Sequence, residues 1–313
     1  VFGDTSRTYA KLSVHAFYLS FSNIFLRTEP IIFHINLKLK IMEKKLITMF
    51  FATIALSAAM TFSSCSKDGE ESQGEVSTSS INPLNVFTGG LPKGLDDIQI
   101  LTDAKGRVYA MKSSDKNVTF EYREESTRSI EKGPDVIMTI IGSDEKQVCN
   151  LFLNKKGFVQ YCTETQYNRG YQPDEDTWSF TYNNDGQLIK MVRSEGFKTT
   201  TMKYHEGNIV ETLEVSNEDN SHKNLSTIFY TSDKVTTPIV NKGCIMLFDT
   251  TLGIDMDEME YAYYAGLLGK ATKNLPVKCV DDEGNVENYS WKLNSTGYPI
   301  QMKSEHESYS FIW

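Results

Sequence analysis

Histidine is scarce, five in 313 residues, and only His205, His222 and His306 lie beyond residue 65, none at ligand spacing from another His or Cys. That argues against a zinc site. The chain has no Gly-x-Ser-x-Gly elbow, phosphate-binding loop or dinucleotide fingerprint, so the signatures of several large enzyme classes are missing. Many acids always offer some carboxylate pair for glycoside hydrolysis, but nothing in the pattern singles one out. We therefore read no catalytic residue, metal or cofactor, and expect no enzyme. Proline is also sparse, eight residues, and the 20 glycines follow no collagen period, while 40% hydrophobic residues exclude a disordered chain.

What is present begins at Met42. Glu43-Lys44-Lys45 precedes an uncharged run from Leu46 to Ser64, which has the parts of a secretory signal. The run ends Thr61-Phe62-Ser63-Ser64-Cys65 and looks like a lipobox, which makes Cys65 the expected lipid-attachment residue and the membrane a partner through that lipid. Residues 1–41 show no helical or strand period and are expected to be an upstream extension. Residues 42–64 are then the signal, and 65–83 form a polar tether too poor in apolar side chains to order itself. Residues 1–64 hold seven of the 32 basic and three of the 41 acidic residues, leaving 25 and 38 and a net charge of −13. Such a chain repels nucleic acid.

From 84 to 313 the pattern is short runs of period two, such as Trp178-Ser-Phe180-Thr-Tyr182, which read as half-buried strands. Five tetrads opened by Asp or Asn and closed by Gly punctuate them: Asp103 to Gly106, Asn154 to Gly157, Asn183 to Gly186, Asp281 to Gly284 and Asn294 to Gly297. Each reads as a hairpin turn, because the side-chain oxygen caps the turn and Gly takes the left-handed conformation that closes it. A mainly β, antiparallel meander follows, too long to stay flat and so curled into an open or closed soluble barrel-like sheet. One helix, near 257–268, is expected to be buried against it, with Asp255 capping and Gly269 stopping it. Asp255, Asp257 and Glu258 suggest a calcium loop, but the glycine such a loop needs is absent, so capping and dipole roles are expected. Asp174-Glu175-Asp176 reads as a solvated turn.

The block Phe180 to Leu188 looks like the turns of YD-type repeats. The block Met256 to Pro276 is similar to the late segment of a Bacteroidetes lipoprotein family of unknown function with a porin-like fold. The likeness spans roughly 84–313 and implies a barrel-like architecture and an envelope lipoprotein, with no catalytic residues to transfer. Ser66 and the acids after it resemble the export signal of such lipoproteins, so the outer membrane, at the cell surface or on its periplasmic face, is the expected location. Asp249-Thr250-Thr251 resembles a short O-glycosylation motif, making Thr250 a candidate.

Two function classes stay open. One is a binding module for a glycan, peptide or apolar ligand, with Trp178, Trp291, Tyr261 and Tyr264 as candidate contacts; the other is a structural or assembly component with no small ligand. A transmembrane barrel is a remote third, since Lys190, Arg193, Lys203, Glu211, Lys292 and Lys303 sit on the faces expected to point outward. Finally, counting all four residues of Asn154 to Gly157 as the loop places Cys149 opposite Cys162, a candidate disulfide in an exported protein. A bulge at Gly157 would instead send the two cysteines to opposite faces.

Overall fold

A computed structural model describes residue 81 and residues 83–123, 133–216 and 223–313. The assignments made for residues 1–41, for the signal and for Cys65 lie outside the described residues, as does His222.

The wall of the fold is a run of antiparallel strands: β1 (Gly94–Leu95), β2 (Ile98–Thr102), β3 (Val108–Lys112), β4 (Asn117–Tyr122), β5 (Val136–Ile141), β6 (Glu145–Leu153), β7 (Val159–Asn168), β8 (Asp174–Tyr182) and β9 (Leu188–Arg193). It continues through β10 (Lys198–His205), β11 (Asn208–Ser216), β12 (Lys223–Phe229), β13 (Lys278–Asp281), β14 (Val286–Asn288), β15 (Ser290–Leu293), β16 (Pro299–Lys303) and β17 (Ser308–Ile312). From β2 to β14 each strand pairs with the next, and β1 pairs with both β2 and β17, Gly94 facing Gln99 on one side and Ile312 on the other. The ring is nearly closed; Tyr289 separates β14, which pairs with β13, from β15, which pairs with β16. Alternation sets the two faces: in β5, Val136, Met138 and Ile140 are buried while Ile137 and Thr139 are half-buried.

The five expected hairpins form, and each Asp or Asn oxygen accepts the N–H of the residue after the glycine, as Asn154 Oδ1 does from Phe158 at 3.1 Å. The register differs from the expectation. Leu153 faces Val159, one residue beyond the four-residue count, and a second irregularity between Phe152 and Leu153 adds another, so that Cys149 faces Glu164 and Leu151 faces Cys162. Phe180 likewise faces Met191, and Trp291 faces Met302. Two successive offsets restore parity, so the side chains keep their expected face and change partner by two. Cys149 and Cys162 are thus diagonal neighbours on the inner face, both free thiols.

The chain between β12 and β13 leaves the wall and fills the interior. It contains two short helices, α1 (Phe248–Leu252) and α2 (Met259–Tyr264), where one longer helix was expected. Gly266, at φ +79°, ends α2 before Gly269 is reached. Asp255 does not cap: no side chain caps α2 at Glu258, and the Asp255 carboxylate takes Lys198 Nζ at 2.9 Å instead. Asp257 is likewise paired, with Arg193. The segment is buried nearly all round, as a helix without a wide polar face must be. Tyr263 is the centre of this packing, its ring 5.5 Å from Phe87 and 5.1 Å from both Phe248 and Tyr264.

Arg193 is a further correction. It shares the inward face of Trp178 and Met191, its guanidinium 4.6 Å from the Trp178 ring centroid and bound to Asp257 and Glu195. Three partners let a cation take a position that its charge alone would send to water. Lys190, Lys203, Lys292 and Lys303 are exposed, and Lys203 is paired with the half-buried Glu211 across the strands. The closing aromatics enter the structure, with Phe311 buried and Trp313 Nε1 donating to Pro299 O at 2.7 Å. Asp174 and Asp176 begin β8 where a solvated turn was expected, and Asp176 accepts the Ser194 hydroxyl at 2.8 Å.

Candidate functional site

A cavity of about 370 Å³ opens where the interior segment meets β1, β2 and β17. Its floor is apolar, from Ile100, Met111, Ile140 and Phe248, because these are inward positions of strands and of α1. Its rim is acidic. Asp96 and Asp97 come from the turn between β1 and β2, Asp249 from α1, Asp257 and Glu258 from the turn into α2 and Glu260 from its first turn, against Lys116 as the one cation of the lining. Tyr261, Tyr264 and Tyr309 supply the aromatic surface.

The rim is held by short hydrogen bonds. Asp96, a non-glycine residue at φ +49°, accepts the Ser310 N–H at 2.6 Å and so ties the turn to β17. Lys116 lies 3.5 Å from Glu145 and so does not balance the rim acids on its own. Burial, and then the Asp249 charge, pushes Glu260 up to about 7. Asp249 is raised as well, by burial first and then by Asp255.

Of the residues singled out in the sequence, Tyr261 and Tyr264 line this cavity and Trp178 and Trp291 do not. Trp178 is in the core, and Trp291 donates to Pro276 O and stacks on Phe311 at 6.1 Å. Tyr264 presents only part of its ring, since its hydroxyl donates to Met246 O at 2.9 Å. Thr250 is at the rim, its hydroxyl 2.7 Å from Glu307 Oε2 and 3.0 Å from Tyr309 OH.

A second group of polar side chains lies deeper, around Glu164. This buried carboxylate accepts Trp178 Nε1 at 3.0 Å on one oxygen and Gln147 Nε2 on the other. Glu258 leans against it. Burial raises Glu164, but hydrogen bonds from Glu258, Trp178 and Gln147 outweigh that and hold it below the usual range. Burial first, and Glu164 second, push Glu258 up to about 9, so the pair shares a proton at neutral pH. The Cys149 thiol, raised by its hydrogen bond with Cys162 and by burial, completes the cluster. The sequence carried a signal for Glu164 that went unread: period two from Cys162 places it on the same inner face.

Residues 100–301 match the family described as Domain of unknown function (DUF4595) with porin-like fold. Similar solved structures include a porin-like protein from Bacteroides uniformis ATCC 8492, 17% identical, with a TM-score of 0.49, covering 68% of this chain and 88% of that one. Another is a porin-like protein from Bacteroides vulgatus ATCC 8482, 12% identical, with a TM-score of 0.44, covering 70% of this chain and 97% of that one. No curated protein matches.

Proposed function

From the premise that this chain belongs to the DUF4595 family, whose domains have a porin-like fold, we propose that it is a lipid-anchored binding module of the cell envelope, held at the outer membrane through Cys65. The ligand class favoured among glycan, peptide and apolar molecule is a peptide bearing a lysine or arginine side chain. The observation that carries this is the cavity: six carboxylates and three tyrosines face one lysine over an apolar floor. Asp257 is already paired with Arg193 and Glu258 shares a proton with Glu164, but an apolar ligand would leave Asp96, Asp97, Asp249 and Glu260 facing it without a counter-charge, whereas an ammonium or guanidinium pairs with them and lies on tyrosine faces while its methylenes meet the floor. The filled interior favours a wall that scaffolds this cavity over one that conducts, and the exposed lysines on its outer face are costly in hydrocarbon.

Calorimetric titration with short lysine- and arginine-containing peptides is expected to show saturable binding that weakens with salt, and Tyr261→Ala is expected to lower affinity by about tenfold, the loss of one aromatic contact. Binding of a neutral oligosaccharide or a fatty acid in preference would overturn the ligand class. Silence from all three classes would favour the envelope component without a small ligand, for which the filled barrel is the supporting feature. The anchor is tested separately. Cys65→Ala is expected to abolish labelling by a fatty-acid precursor and to move the protein into the aqueous phase of a detergent partition. An unchanged partition would remove the lipid from the proposal, and protease shaving of intact cells tests the surface location.

A further inference from the structure

We propose that Cys149, Glu164 and Glu258 form a site for one thiophilic divalent cation of the zinc class, set in the barrel wall below the cavity. The proposal shares Glu258 with the cavity but rests on two donors, Cys149 and Glu164, that do not line it. The three donors come from β6, β7 and the entry to α2, far apart in sequence, and one ligand atom from each lies within 4.8 Å of the others. A thiolate and two carboxylates are donors that zinc accepts.

Two observations set this group apart from a chance cluster of acids. Glu258 meets Glu164 through a shared proton, yet its Oε1 is buried and has no hydrogen-bond partner, a costly condition for a polar oxygen. Glu164 is fixed by Trp178 and Gln147 on separate oxygens, the kind of outer support that orients a carboxylate ligand and leaves lone pairs free for a metal. Arg193 favours the charged form of both carboxylates from a distance, but its ion pairs are with Asp257 and Glu195, so its guanidinium does not fill the space between the three donors.

On binding, the Cys149 thiol proton and the proton shared by Glu164 and Glu258 leave to solvent, and three bonds to the cation form with no electron transfer. Three protein donors leave a coordination position for water or for an atom of a bound molecule. Glu258 and Gln147 also line the cavity, which gives the cation its route in.

The test is to strip the purified protein with a chelator and titrate it with Co²⁺. One equivalent is expected to bind with a thiolate-to-cobalt charge-transfer band, and Zn²⁺ is expected to displace it. Cys149→Ser should remove the band, Glu258→Gln should weaken Co²⁺ binding by about tenfold or more, and Cys162→Ser should keep the band, with circular dichroism confirming that each variant is folded. A folded wild type without the band, or Co²⁺ affinity unchanged in both Cys149→Ser and Glu258→Gln, would overturn the site. So would a Cys149–Cys162 disulfide found by mass spectrometry in protein isolated from cells.

Discussion

Replacing Tyr263 with alanine is expected to cost about 4 kcal/mol of folding stability, the range for removing a fully buried aromatic ring. The ring is 1% exposed and meets Phe87, Phe248 and Tyr264. The interior segment has only short helices of its own, so packing rather than helix propensity holds it inside the wall. The hydroxyl does a separate job. It donates to the carbonyl of Cys244 at 2.6 Å, and Cys244 is a non-glycine residue at φ +53°. Tyr263→Phe removes that bond and leaves a carbonyl without this donor, for an expected loss of about 1–2 kcal/mol. Urea unfolding followed by the fluorescence of buried Trp178 measures both. Equal losses in the two variants would show that the ring contributes little and that the packing argument is wrong.

Gly269→Ala is expected to cost about 3 kcal/mol, and Gly157→Ala about 1 kcal/mol, although the two glycines share nearly one backbone conformation, φ +83° and +82°. The difference is what a methyl group would meet. At Gly157 nothing lies within 4 Å, so only the left-handed conformation is penalised. At Gly269 the added carbon would stand 2.7 Å from Gly186 O and 2.9 Å from the Tyr182 ring. Gly186 is the last residue of a hairpin tetrad, and its carbonyl accepts the Lys270 N–H at 2.9 Å, so the exit of the interior segment rests on the hairpin between β8 and β9. Relief of the clash must therefore move backbone. Thermal or urea denaturation of the pair isolates the contact, and losses of similar size would refute it.

The faces of the strands were readable in the sequence because burial alternates along a strand whatever its partner. Their partners were not. The residues around Asn294 to Gly297 favour a four-residue loop, because one bulge would put Trp291 opposite Gln301 and mix the faces, while the structure has that bulge and another offset between Lys292 and Leu293, which no single-turn rule anticipates. The burial of the segment around 257–268 was visible because Met259, Tyr263 and Leu267 recur at helical spacing, and all three are buried. The break at Gly266 was hidden because Gly269 offered an equally good stop. The cavity was half legible: Tyr261 and Tyr264 stand out locally, but Asp96, Asp97 and Gln147 reach it only through pairings across the ring. Arg193 was misplaced because period two and charge disagreed about it, and three local partners decided in favour of period.

The two-residue strand β1 has a consequence for how the ring is assembled. It joins β2, its neighbour in sequence, to β17, more than 200 residues later. Until residues 308–312 have been made, the free edges of β1 and β16 each present unpaired backbone donors and acceptors, templates for strand addition by another chain. Such long-range closure is slow relative to local hairpin formation. The vulnerable species is therefore an almost complete barrel with its last seam open, and a charged side chain such as the exposed Lys303 on β16 is the sort of guard that keeps that edge from pairing with a neighbouring molecule before β17 arrives.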